Sequence, residues 1–187
     1  NGVVRRGCLA TSIGTSGVVF VHCDTPEVDS QGRLHTFCHA VRDKWHMMGV
    51  TLAAGGSLQW FRNALCQSDL ANTQKSAAEV FNKLIKEAEQ TPSGAEGLMF
   101  LPYLAGERTP HADPHARGAF VGLVLKHNRG HLVRAVMEGV TFSLRDSLEI
   151  IANQDIRISQ IRATGGGAKS AFWRQMQAAI LGKKVVA

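Results

Sequence analysis

Residues 9–21 read LATSIGTSGVVFV. Two apolar, β-rich runs flank the four residues GTSG, which predicts a tight hairpin with strands over 8–13 and 17–22. Its tip, Gly14-Thr15-Ser16-Gly17, would expose backbone N–H groups together with two hydroxyls. Glycine lets a backbone approach a ligand with no Cβ in the way. A concave cluster of amides of this kind suits a phosphate. Gly, Ser and Thr are also ordinary turn residues, so a plain hairpin stays open at this point.

A second bare turn, TGGGAKS, lies at 164–170. A strand, QIRAT, runs into it and a helix over 170–181 leaves it. Ser170 can cap that helix, whose N-terminus favours an anion or a polar ligand. The stretch is not a P-loop, because G-x-x-x-x-G-K-S would need glycine where Ala163 and Ala168 stand. Three glycines without that loop suit a flat group against the backbone, such as a purine and its ribose. The alternative is a connector that lets strand and helix pack closely.

Between these turns the periodicity changes. HTFCHA and WHMMGVTLA read as two more strands around a charged turn at Arg42, Asp43 and Lys44. Period 3.6 then predicts a helix over 56–66 with Leu58, Phe61 and Leu65 inward, and another over 74–90 through Ala77, Phe81, Leu84 and Ala88. LMFLPYL reads as a buried strand stopped by Pro102, and AFVGLVL as a further strand. The longest helix is expected over 131–152, and KKVVA begins a last strand. An antiparallel start followed by strand–helix alternation is an α/β class with a mixed sheet. We read residues 1–187 as one domain, cut from a longer chain at both ends.

The chain has 187 residues, 44% apolar and 19% charged, an ordinary globular composition. No apolar run is long enough to span a membrane, so no membrane partner is expected. The formal charge is +6, but the Lys and Arg are scattered, so no nucleic-acid partner is expected. Cys8, Cys23, Cys38 and Cys66 lack C-x-x-C spacing, which predicts neither a disulfide framework nor a zinc site and favours a reduced, cytoplasmic setting.

The segments SIGTSGVVF, FCHAVRDKWHMMGV, AAGGSLQWFRN, FLPYLAGERTPHADPHARGAFVGL, HLVRAVMEGVTFSLRD and TGGGAKSAFWRQMQA occur in that order. Together they resemble the FGGY carbohydrate kinase family over nearly the whole chain. The spaced set Gly118, Phe120, Gly122, Leu123, His131, Leu132, Ala135, Val136, Met137 and Glu138 is similar to a family signature, and YLAGERTPHADP resembles the xylulokinase branch. The resemblance implies the actin-like ATPase fold, related to ribonuclease H, with this chain similar to most of the C-terminal domain. It implies ATP and Mg²⁺, with the γ-phosphate passed to a sugar hydroxyl. D-xylulose is the expected acceptor, with ribulose, gluconate, fuculose and glycerol as alternatives. It further implies that Thr15, with Gly14 and Ser16, faces the phosphates. Gly55 and Gln59 would contact the nucleotide, and Gly166 and Gly167 would lie against the adenosine. Ser170 stands where some relatives carry Asn. The catalytic carboxylate of the family is an Asp shortly before the hairpin. No Asp precedes Asp24 here, so no catalytic residue is expected within residues 1–187 and the segment alone is expected to be inactive. The expected partners are a nucleotide, a small sugar and the other kinase domain, and a homodimer is also open. A non-catalytic nucleotide-binding module of the same fold is the competing function, and an unrelated scaffold is the third.

Other residues have simpler readings. Glu107 and Arg108 form a candidate cleft wall, or a loop pinned by their own ion pair. His111, Asp113 and His115 could ligate a metal, but Pro114 breaks helical alignment and favours a surface loop. Glu138, one turn after Arg134, reads as an ion-pair partner. Gly139 reads as a close-packing position. Trp45, Trp60 and Trp173 read as core residues.

Overall fold

The structure, a computed structural model, describes residues 2–67, 76–154 and 156–187. Among these residues the strands are β1 Cys8–Ile13, β2 Gly17–Cys23, β3 His35–Cys38, β4 Trp45–Thr51, β5 Met99–Leu101, β6 Ala119–Val121, β7 Gln160–Gly165 and β8 Lys184–Val186. The helices are α1 Gly55–Leu65, α2 Ala77–Glu89, α3 Arg129–Ala152 and α4 Ala171–Leu181. Six strands make one mixed sheet in the order β3-β4-β2-β1-β7-β8. The first four pair antiparallel, while β7 lies parallel to β1 and β8 parallel to β7. The predicted mixed α/β sheet is therefore present, hairpin first.

The strands alternate as a half-buried sheet should. Val19, Val21 and Met47 point to the core, while Phe20, His22 and His46 point to the other face. The long helix α3 crosses the core face and touches β2, β4 and β5 and the helices α1, α2 and α4. Its residues Val133, Met137, Val140, Leu144 and Ile151 are fully buried. Gly139 is needed there, because a Cβ at that position would stand 2.1 Å from the Phe100 carbonyl oxygen. This agrees with the close-packing role read from the sequence.

Helix starts follow local chemistry. Ser76 and Glu79 form a reciprocal capping box at α2, and Asn128 and His131 form one at α3. These caps set the starts at 77 and 129. Of the helix expected over 74–90, residues 74 and 75 lie outside the described residues, as does Asn1.

Three readings of inward faces are corrected. Leu65 is 54% exposed, and Cys66, the residue that ends α1, takes the inward place instead. In α2 the core stripe is Val80, Leu84 and Ala88, with Ala77 exposed and Phe81 half-buried on the neighbouring stripe. LMFLPYL is not a buried strand. Its β5 pairs only with β6, as a separate two-stranded sheet, and of Met99, Phe100 and Leu101 only Phe100 is buried. An apolar run without alternation could not reveal that one face lies open.

Candidate functional site

Strands β1 and β7 run side by side in one direction, with Ile13 opposite Gly165. Both turns therefore leave the sheet at the same end. This brings together the two glycine turns that are far apart in sequence. Ile13 forms the floor between them. A Cβ on Gly167 would stand 2.7 Å from the Ile13 Cβ, so glycine is needed there for packing. Gly165 has φ +77°, which an L side chain rarely adopts.

The hairpin tip is clamped on α1. The N–H groups of Gly55 and Gly56 donate to the Gly14 and Thr15 carbonyls at 2.8 and 3.0 Å, and the Ala54 N–H also donates to Thr15. The first amides of α1 are thus already engaged, and no side chain caps this helix. What faces outward is the tip itself. Among the described residues the Thr15 and Ser16 N–H groups donate to no protein acceptor. At the second turn, the Ser170 hydroxyl accepts the Trp173 N–H at 3.1 Å and caps α4, as the sequence predicts.

Around these turns lies a cavity of about 510 Å³. Gly14, Thr15, Gly55, Gln59, Gly166, Gly167 and Ser170 all line it. Ser16 does not, and stands exposed at the tip. Glu107 and Arg108 also lie outside it. The sequence reading missed its far wall, where Ala78, Phe81, Asn82 and Ile85 of α2 close the cavity opposite the glycines. The Arg62 guanidinium sits 4.5 Å from the centre of the Phe81 ring and braces that wall. Among the described lining residues Lys169 supplies the only cation, and Trp173 an apolar edge. Trp173 is otherwise a core residue, its indole N–H bonded to Thr141 Oγ1 at 3.1 Å.

Chemically this is an apolar slot with polar groups at both ends, the form of a small-molecule site. The slot between α2 and the Gly166 turn fits a flat ring, and the hairpin tip fits a phosphate. None of the lining residues among those described is Asp or Glu. A hard divalent cation asks for carboxylate oxygens. The lining residues thus do not fit a protein-held Mg²⁺, and an ion here would be held by its ligand's phosphates.

The segment after β5 forms a separate polar cluster. Glu107 is buried, and its Oε1 accepts the N–H groups of Leu52 and Arg108 at 2.9 and 2.7 Å. The loop is thus pinned by backbone amides, while the Arg108 side chain is exposed, which corrects the expected Glu–Arg pair. Burial pushes the Glu107 carboxyl above the usual carboxylate range, against the pull of those two amides. Burial also raises the nearby Asp146 and Tyr103. His111 pairs with the Tyr103 hydroxyl at 3.0 Å, while Asp113 Oδ1 accepts the His115 N–H. Of the three residues weighed as metal ligands, His111 thus turns to Tyr103 and Asp113 to the His115 backbone.

Compared with known proteins, residues 9–187 match the C-terminal domain of the FGGY family of carbohydrate kinases. A xylulose kinase of Bacillus subtilis (strain 168) is 42% identical over 185 residues, covering 99% of this chain and 35% of that relative. A gluconokinase of the same organism is 37% identical over 185 residues, covering 98% and 36%. Among solved structures, ligand-bound xylulose kinase from Lactobacillus acidophilus superposes with a TM-score of 0.85 at 32% identity, over 98% of this chain and 35% of that one. The chain thus spans about a third of the length of these relatives, and its sheet has the actin-like ATPase fold they share.

Proposed function

The chain belongs to the FGGY family of carbohydrate kinases, and from that premise we propose that residues 1–187 are the nucleotide-binding domain of an ATP-dependent sugar kinase. The observation that carries this reading is the single cavity into which both glycine turns open. In this reading the β- and γ-phosphates lie at the hairpin tip, on Gly14, Thr15 and Ser16. Gly55 and Gln59 border the phosphate side, and the purine lies between Gly166, Gly167 and Ser170 and the α2 wall at Phe81. Mg²⁺ arrives with the phosphates. The acceptor is D-xylulose, giving D-xylulose 5-phosphate, in keeping with relatives that are xylulose kinases. Gluconate is the second reading, favoured by the 37% identity to a gluconokinase. The family's catalytic Asp stands shortly before the hairpin, most sugar contacts belong to a companion domain, and such a metabolic kinase works in the cytoplasm.

Calorimetric titration with MgADP tests the site, with Gly166→Val as the blocked variant. A Cβ at Gly166 meets only the Ile13 carbonyl, at 3.7 Å, so the substitution fills the cavity without disturbing the fold. Binding by the wild type that the valine abolishes is the expected result. Equal binding by both would refute the adenosine placement. Turnover of D-xylulose against gluconate by the full-length protein decides the acceptor.

A further inference from the structure

Helix α1 begins the phosphate side of the proposed site, yet it lacks a side-chain cap. Its start is held from two directions. On one side the hairpin carbonyls of Gly14 and Thr15 take its first amides. On the other side stands the segment 107–109. The Thr109 N–H donates to the Val50 carbonyl at 2.9 Å, and the Val50 N–H donates to Thr109 Oγ1 at 3.1 Å. Thr109 Oγ1 in turn donates to the Arg33 carbonyl at 2.8 Å. Two residues further along, the Leu52 N–H donates to Glu107 Oε1. Leu52 stands three residues before Gly55, in the link from β4 to α1. Segment 107–109 therefore continues the edge of β4 past the end of β3 and fixes the point where the chain turns into the helix. Glu107 and Thr109 are 3% and 0% exposed, so neither bond competes with water.

We propose that Glu107 and Thr109 are positioning residues for the nucleotide site: they clamp the β4–α1 link, so that Gly55 and the hairpin tip at Thr15 meet the phosphates in one fixed place. They touch neither the cavity nor its ligand. The proposal rests on the nucleotide reading above. It assigns a role to the one buried carboxylate of the loop that follows β5, whose Oε2 has no partner among the described residues.

The test is MgADP titration of the full-length protein as wild type, Glu107→Ala, Glu107→Gln and Thr109→Val, with melting temperatures alongside. Glu107→Ala removes the acceptor for two buried N–H groups. It is expected to weaken MgADP about tenfold, the scale of coupling from a support that does not touch the ligand. Glu107→Gln keeps an acceptor oxygen and is expected to restore affinity to within about threefold of wild type. Thr109→Val keeps shape and loses the hydroxyl, so it too should weaken MgADP, and it carries the test if Glu107→Ala does not fold. In turnover assays the KM for ATP should rise while the KM for the sugar stays. Unchanged MgADP affinity in both Glu107→Ala and Thr109→Val would overturn the proposal alone. So would loss of sugar and nucleotide affinity together with a lowered melting temperature, which marks general destabilisation. A wild type that binds no MgADP would overturn this proposal and the nucleotide reading together.

Discussion

Glu138 accepts a hydrogen bond from Arg134 Nε at 2.7 Å, and both side chains are about nine-tenths buried. The same guanidinium reaches the Ala88 and Thr91 carbonyls and the Ser93 hydroxyl, and Glu138 also takes the Gly94 N–H. One charge pair thus ties α3 to the end of α2 and the turn after it. The i, i+4 spacing was readable in the sequence, but burial was not, and burial decides the energy. An exposed pair contributes about 0–1 kcal/mol, whereas removing one partner of a buried pair costs about 3–5 kcal/mol. Glu138→Ala should therefore lose stability on the larger scale, read as a lower urea midpoint at unchanged m-value. Replacing both residues with apolar ones of similar volume should cost far less, because no charge is then stranded. A loss below about 1 kcal/mol for the alanine variant would show that water replaces the carboxylate.

At the scale of elements, the outer face of the β3-β4-β2 ladder carries imidazoles. His46 stands opposite His22 on one side and Phe37 on the other, and it stacks on Phe20 with ring centres 4.5 Å apart. His39 lies 5.9 Å from it. Asp24, salt-bridged to Arg6 and Lys44, sits beside His22 at the end of this face. Burial first, and then the His39 charge, hold the His46 imidazole below its ordinary value. The folded state therefore binds this proton less well than the unfolded chain. Stability from His46 is present above the unfolded value, about 6.5, and falls as pH drops below it. The urea midpoint should decline from pH 7.5 to pH 5.5, and His46→Phe, which keeps the stack without a titrating group, should flatten that decline. An unchanged slope in the variant would assign the effect elsewhere. These strands were legible because period 2 and the turn residues agreed. The β5–β6 pair was not, since its run of apolar residues showed no alternation and its exposure depends on tertiary placement. Likewise the two glycine turns were legible as local backbone chemistry. The α2 wall of the cavity was not, because Phe81 and Ile85 meet it only through the packing of α2 on α3.

At the scale of the whole molecule, binding and chemistry separate. Among the described residues the cavity offers backbone amides, an apolar slot, one lysine and neutral amide and hydroxyl groups, but no carboxylate. Phosphoryl transfer needs a group that orients the attacking hydroxyl and oxygen ligands that help hold the metal on the phosphates. The carboxylates nearest in kind do not serve. Glu107 spends Oε1 on two backbone amides, and Asp24 pairs with Arg6 and Lys44 beyond the far end of β2 from the hairpin tip. Residues 1–187 by themselves should therefore bind MgADP and gain thermal stability from it, about 2.7 kcal/mol at a hundredfold excess over Kd. The same segment should give no ADP from ATP and D-xylulose above the rate without protein. A coupled ADP-release assay on material purified from a host lacking sugar kinase activity checks this, with the full-length protein as the active control. Turnover by the short chain would place an acid–base group inside this domain, and the first residue to substitute would be Glu107, the buried carboxyl with an uncommitted oxygen.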